Sequence, residues 1–316
     1  MATVWSRPAV APVAAPGVVR VSTALVRLAT LSGTLALIAS LAGLLWPGSG
    51  GPVPFTTLWG DTVLLYGRGL YRNDTLFSAG SFQGSDLLVL GVVLPLLVAG
   101  LLMYRRGSLR GALVLAGALS YLLYHGASLA FGAAFNRLFL VYVALFSASL
   151  FAFILAFTAF DRGRLPAHIG PRLPCRATAA VLFLVGPGTA VLWLTELAGP
   201  LLTGATPSGL GSYTTLFSHG LDIAVIAPSA VLAGVLLLRR QPLGAILGSI
   251  ILVLCTLIGP MVILQTIMQL RVGVVFSMEQ VIVMIGGFLV MSLLAAGVTV
   301  AVFRQIGAAG EPEELR

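Results

Sequence analysis

Thr75-Leu-Phe-Ser-Ala-Gly80, followed by Asp86, leads into an unbroken apolar run that ends at Arg105-Arg106. The same order returns as Thr215-Leu-Phe-Ser-His-Gly220, then Asp222, then an apolar run ending at Arg239-Arg240. At 1.5 Å per helical residue, each run is about long enough to cross the roughly 30 Å hydrocarbon core of a bilayer. The module therefore predicts an all-α membrane protein made of two related halves.

Composition agrees. The chain is 58% apolar and 9% charged, with a mean hydropathy of +1.04. A soluble domain is about half apolar and about a quarter charged. The longest polar stretch, 48–85, is too short for a second core, so the 316 residues make one membrane domain. The net charge of +8 comes from arginine alone, which suggests a GC-rich bacterial genome. That charge is placed as membrane orientation requires, and it gives no argument for a nucleic-acid partner. Cys175 lies in a basic loop and Cys255 in an apolar run, so they read as two unpaired thiols.

Eight apolar runs fall at 28–46, 87–104, 111–131, 138–160, 177–199, 221–238, 243–264 and 280–303. They are continuously apolar rather than alternating, which selects helices over a barrel. The first, Leu28 to Trp46, follows a long polar lead and exceeds a signal peptide's apolar core, so it reads as a span. With the N-terminus inside, fourteen arginines fall in inside segments and four outside, these being Arg68, Arg72, Arg137 and Arg271. Both termini are then cytoplasmic, in a bacterial inner membrane. Residues 1–22 read as a disordered cytoplasmic tail, 23–304 as the membrane domain, and 305–316 as an acidic cytoplasmic tail.

The two modules align with an offset of about 134–136, which divides the domain into halves at about 23–160 and 177–304. Four spans per half give parallel repeats, two four-helix units related by a pseudo-twofold along the membrane normal. Sites in such proteins often lie between the halves. Ala144, Ala148 and Ala152, and also Gly244 and Gly248, suit close helix packing there. In the first outside loop, Thr62-Val-Leu-Leu-Tyr66 reads as a short amphipathic piece at the interface. The stretch 265–279 is apolar enough to extend a helix or dip back into the membrane. Gly186-Pro-Gly188 is expected to break or kink the fifth span.

Polar candidates cluster toward the outside, and the inner half offers almost nothing ionisable. Asp86 and Asp222 have two readings: helix N-caps that meet the dipole, or acids facing each other across the pseudo-twofold. Glu196 lies a turn inside the membrane, where a carboxylate is costly and is paired, functional or snorkelling. Its expected partner is an outer Arg or His. His125, in Tyr121-Leu-Leu-Tyr124-His125, fits a polar pocket or an aromatic belt. His219 stands where Ala79 stands in the first module. With Glu279 these residues, Asp86, His125, Glu196, His219 and Asp222, form the candidate substrate-binding set. No two lie at a metal-ligand spacing, and no P-loop or nucleophile motif occurs, so no cofactor, metal or catalytic residue is assigned.

Three stretches, 66–75, 132–147 and 221–244, resemble a group of uncharacterised multi-span membrane proteins of bacteria. The resemblance implies no activity, and in such relatives an asparagine is expected where this chain has His125. Three functions stay open. One is a gradient-driven, permease-like transporter of a small molecule or ion, with its site in the outer half between the repeats. The second is a non-catalytic scaffold or assembly subunit that contacts a membrane protein partner through the aromatic first loop. The third is a membrane-embedded enzyme acting on a lipid or exported substrate. The site reading expects Asp86, Glu196, Asp222 and Glu279 to converge on one cavity.

Overall fold

Helix starts follow capping hydroxyls. Ser22 accepts from the Leu25 N–H, Thr75 from Ser78 and Ser108 from Gly111. Each satisfies a backbone donor that the helix itself cannot. A computed structural model describes residues 17–207 and 209–306. Among these, eight helices are long and apolar enough to cross a membrane: α1 (Thr23–Leu45), α2 (Leu76–Arg105), α3 (Leu109–Gly132), α4 (Phe139–Thr158), α5 (Cys175–Thr203), α6 (Phe217–Leu238), α7 (Pro242–Arg271) and α8 (Gln280–Gln305). A hairpin of β1 (Val53–Thr56) and β2 (Thr62–Leu65) joins α1 to α2, with Val53 opposite Leu65 and Thr56 opposite Thr62.

The boundaries correct several expectations. The Thr-Leu-Phe-Ser element begins α2 and α6, so Asp86 and Asp222 lie inside these helices and cap neither. The piece at 62–66 contains β2, because Gly60 at φ +87° closes the turn that pairs it with β1. Helix α7 runs on to Arg271 and absorbs the first part of 265–279. Helix α5 continues through Gly186-Pro187-Gly188 without a break, although Pro187 donates no N–H. Residues 1–16 and 307–316 of the expected tails lie outside the described residues. Residues 18–20 are anchored: Val19 pairs with Phe160, and the Arg20 N–H donates to Ala159 O at 2.9 Å. Tyr104 Oη donates to Arg20 O at 2.8 Å and accepts from the Ser22 N–H at 2.7 Å.

Helices α3 and α7 form the centre. Of the residues in their apolar windows 72% and 61% are buried, against 33% for α1, α2, α4 and α6. Being enclosed by protein, α3 can carry Ser120, Tyr121, Tyr124 and His125 without facing lipid. The small-residue stripes serve contacts other than those expected. Gly244 and Gly248 meet Leu236 and Leu237 of the neighbouring α6, while Ala144 is exposed and only Ala148 and Ala152 are buried. The close approach between the early and late helices uses Gly80 and Gly84 of α2. A Cβ at either would run into the backbone of α7 at Gln269 and Gln265.

Two further features recur 133 residues apart. In α2 the turn Val89–Val93 widens to i→i+5 just ahead of Pro95, and in α6 the turn Asp222–Ile226 does so just ahead of Pro228. A proline ring collides with the carbonyl four residues back, and the wider turn makes room for it. Likewise Gly111 packs on Met103 and Tyr104, as Gly244 packs on Leu236 and Leu237.

Gly84→Ala should destabilise the chain in detergent by roughly 1–3 kcal/mol, since the colliding atoms are backbone. Gly91→Ala, with nothing within 4 Å, should leave the SDS or thermal unfolding midpoint unchanged.

Candidate functional site

The tight seam between α2 and α7 has no counterpart on the other side of the bundle. There α6 packs on α5 and α7 and meets α3 only near its tip, where Phe217 covers Gly132. The space left over is a chamber of about 1200 Å³. Its rim lies at the hairpin end, formed by Val63–Leu65 and by loop residues near Tyr213. Its floor reaches Thr189 of α5 and Leu254 of α7, the latter about 18 Å from the start of its helix at 1.5 Å per residue. That depth is about the middle of a hydrocarbon core.

Four of the six expected site residues, His125, Glu196, His219 and Asp222, line this chamber. Helix α6 supplies Asp222 at the start of its widened turn, and Trp193 of α5 donates its indole N–H to Asp222 Oδ2 at 2.9 Å. Tyr124 of α3 also directs its hydroxyl to Asp222. His219 lies between three partners. Its Nε2 is 3.2 Å from Glu196 Oε2, its Nδ1 is 3.3 Å from Ser218 Oγ, and its ring is 4.0 Å from that of Trp193. Glu196 thus has a histidine partner, on the next helix.

Asp86 does not reach the chamber. It is fully buried behind His125, where Gly43 of α1 leaves room for it. Tyr71 Oη donates to its Oδ2 at 2.8 Å. His125 Nε2 stands 3.6 Å from its Oδ1, just beyond hydrogen-bond reach, and neither atom has another partner. The pair can share one proton or close on one. Because Tyr124 and His125 are adjacent, one turn of α3 touches both the Asp222 and the Asp86 groups. Glu279 stands apart: it is exposed just ahead of α8 and joins neither group. Among the described residues no three His, Cys, Asp or Glu side chains converge as metal ligands.

The rim has a clasp that sequence reasoning passed over. Asp74 is fully buried, and its Oδ1 accepts from the Ala134 N–H and from Tyr213 Oη, both at 2.7 Å. It ties the first, second and third loops of the hairpin end together. In the sequence it shows only as one acid of the polar stretch 48–85. Tyr71, Trp193 and Gln269 were likewise visible as residue types without partners. No family model, curated protein or solved structure matches the chain, so the site rests on its own chemistry.

Burial pushes the Asp74 carboxyl up from 3.8 to about 7. The protonated form is favoured by folding, so its contribution is complete below about pH 4. It is lost as pH rises toward 7, because there the unfolded state releases a proton that the folded state keeps. Asp74→Asn retains the accepting oxygen. It should flatten the part of the stability decline between pH 4 and 7 that Asp74 contributes, up to about 4 kcal/mol, read as unfolding midpoints of both chains across that range.

Proposed function

We propose that this chain is a gradient-driven permease of a bacterial inner membrane, with both termini cytoplasmic and its binding site in the outer-half chamber between two parallel four-helix repeats. One observation carries the reading: a chamber large enough for an organic solute reaches about mid-membrane depth and carries the carboxylates of Asp222 and Glu196 on its wall nearer the hairpin end. Carboxylates within membrane-spanning helices are expensive and mark substrate or ion pathways. The paired arginines at the ends of α2 and α6 support the orientation. The widened turns before Pro95 and Pro228, in register 133 residues apart, support the repeat. Widened turns are also places where a helix can bend. Two acid–imidazole pairs, Glu196–His219 in the wall and Asp86–His125 with its acid behind the wall, can hold and exchange a proton, which favours the proton as coupling ion.

In a chain carrying Cys175→Ala and Cys255→Ala, Thr189→Cys at the chamber floor should react with membrane-impermeant maleimide from either side of the membrane. Labelling from the hairpin side alone, under every ion gradient applied, would leave a rigid cup and retire the permease reading.

A second reading, a membrane-embedded enzyme, has one observation in its favour. Ser218, His219 and Glu196 stand in the order hydroxyl, imidazole, carboxylate, with spacings of 3.3 and 3.2 Å. That is the order in which a serine is activated for acyl transfer. The permease reading expects no covalent labelling by a fluorophosphonate probe. Labelling that disappears in Ser218→Ala would move the assignment to hydrolysis.

A further inference from the structure

We infer that the chamber takes an organic cation with an apolar, ring-bearing body. The inference rests on the chamber being a binding site and not on transport through it.

The argument begins with what the walls omit. The chain has eighteen arginines and no lysine, yet none of the arginines among the described residues lines the chamber. The charged groups that reach it are Asp222 and Glu196, and Asp86 lies directly behind the wall. While the two histidines are neutral, the charge that this lining can carry is negative only, and it sits among apolar side chains, where a like charge would be strongly opposed. An anionic ligand would find no guanidinium to meet it. The lining hydroxyls are neutral, and the amide N–H₂ of Gln269 is already spent on Ser81 Oγ at 2.8 Å and Phe77 O at 3.3 Å. What that side chain has left is an acceptor oxygen.

The remaining wall suits the body of such a ligand. Trp193 holds Asp222 through its N–H and stacks near His219, with Phe288 at 6.0 Å, so the carboxylate stands beside aromatic faces. A cation over an aromatic face gains from the ring's quadrupole, and gains more when water is excluded. The volume of about 1200 Å³ is far beyond an inorganic ion and suits a multi-ring molecule.

Tetraphenylphosphonium and tetraphenylborate have the same shape and opposite charge, and they separate this proposal from simple apolar partition. With the full chain in non-ionic detergent, tetraphenylphosphonium should bind saturably and quench tryptophan fluorescence, and tetraphenylborate should not compete. Asp222→Asn should weaken binding about tenfold or more, the ordinary scale of a desolvated charge contact. Should that variant fold poorly, Glu196→Gln, at a half-exposed position, should weaken binding in the same direction. Equal binding of the borate, non-saturable uptake, or full affinity in a folded Asp222→Asn chain would overturn the assignment. Saturable binding without counterflow in proteoliposomes would keep the site and retire the permease reading. Absent binding in a chain whose Thr189→Cys labels from both sides would retire the cation and keep the permease.

Discussion

The constraint on which this molecule depends is that hydrocarbon offers a backbone amide no partner. Every N–H and C=O within the apolar thickness must be satisfied by its own segment, so the chain crosses as helices and confines its hairpin and turns to the ends. Prolines are the test of that rule. Pro95 and Pro228 each remove a donor in mid-helix, and in both places the preceding turn opens to i→i+5 rather than breaking. The helix stays continuous, and the distortion falls near the residues that carry charge.

Once hydrogen bonding is settled within each helix, packing depends on how closely backbones can approach. Between lipid-like surfaces little hydrophobic gain remains, so contact area decides. Gly80 and Gly84 bring α2 against the backbone of α7 and close one side of the bundle. On the opposite side the ring of Phe217 in α6 rests on Gly132 of α3. The chamber follows from that difference. The polar residues of α3 are tolerable because they face protein and chamber instead of lipid, and Tyr124 and His125 place Asp222 and Asp86 within reach of one helical turn.

Much of the site was legible as a set of residue types. Ionisable side chains in apolar runs are rare, so Asp86, His125, Glu196, His219 and Asp222 stood out without any geometry. Their division could not be read. Asp86 and Asp222 each follow a Thr-Leu-Phe-Ser element, yet one lies behind His125 and the other faces the chamber. Glu279 belongs to the same set of residue types, but it is exposed ahead of α8 and meets none of the others. Asp74 escaped notice because its neighbours in space, Ala134 and Tyr213, are far away in the chain and it lies in the polar loop where acids are ordinary.

By itself the sequence determined what depends on period, length and composition. It specified the eight helices and the recurrence of one module, because the cost of an unsatisfied backbone or a misplaced charge in hydrocarbon is local to each segment. The tertiary structure alone decided which helices touch. It set where α2 and α6 begin, which glycines form the seam, which acid meets which histidine, and that a chamber opens beside α3. Those outcomes turn on contacts between residues many turns apart, where a single missing Cβ or one added ring shifts a backbone by ångströms, and no local pattern records them.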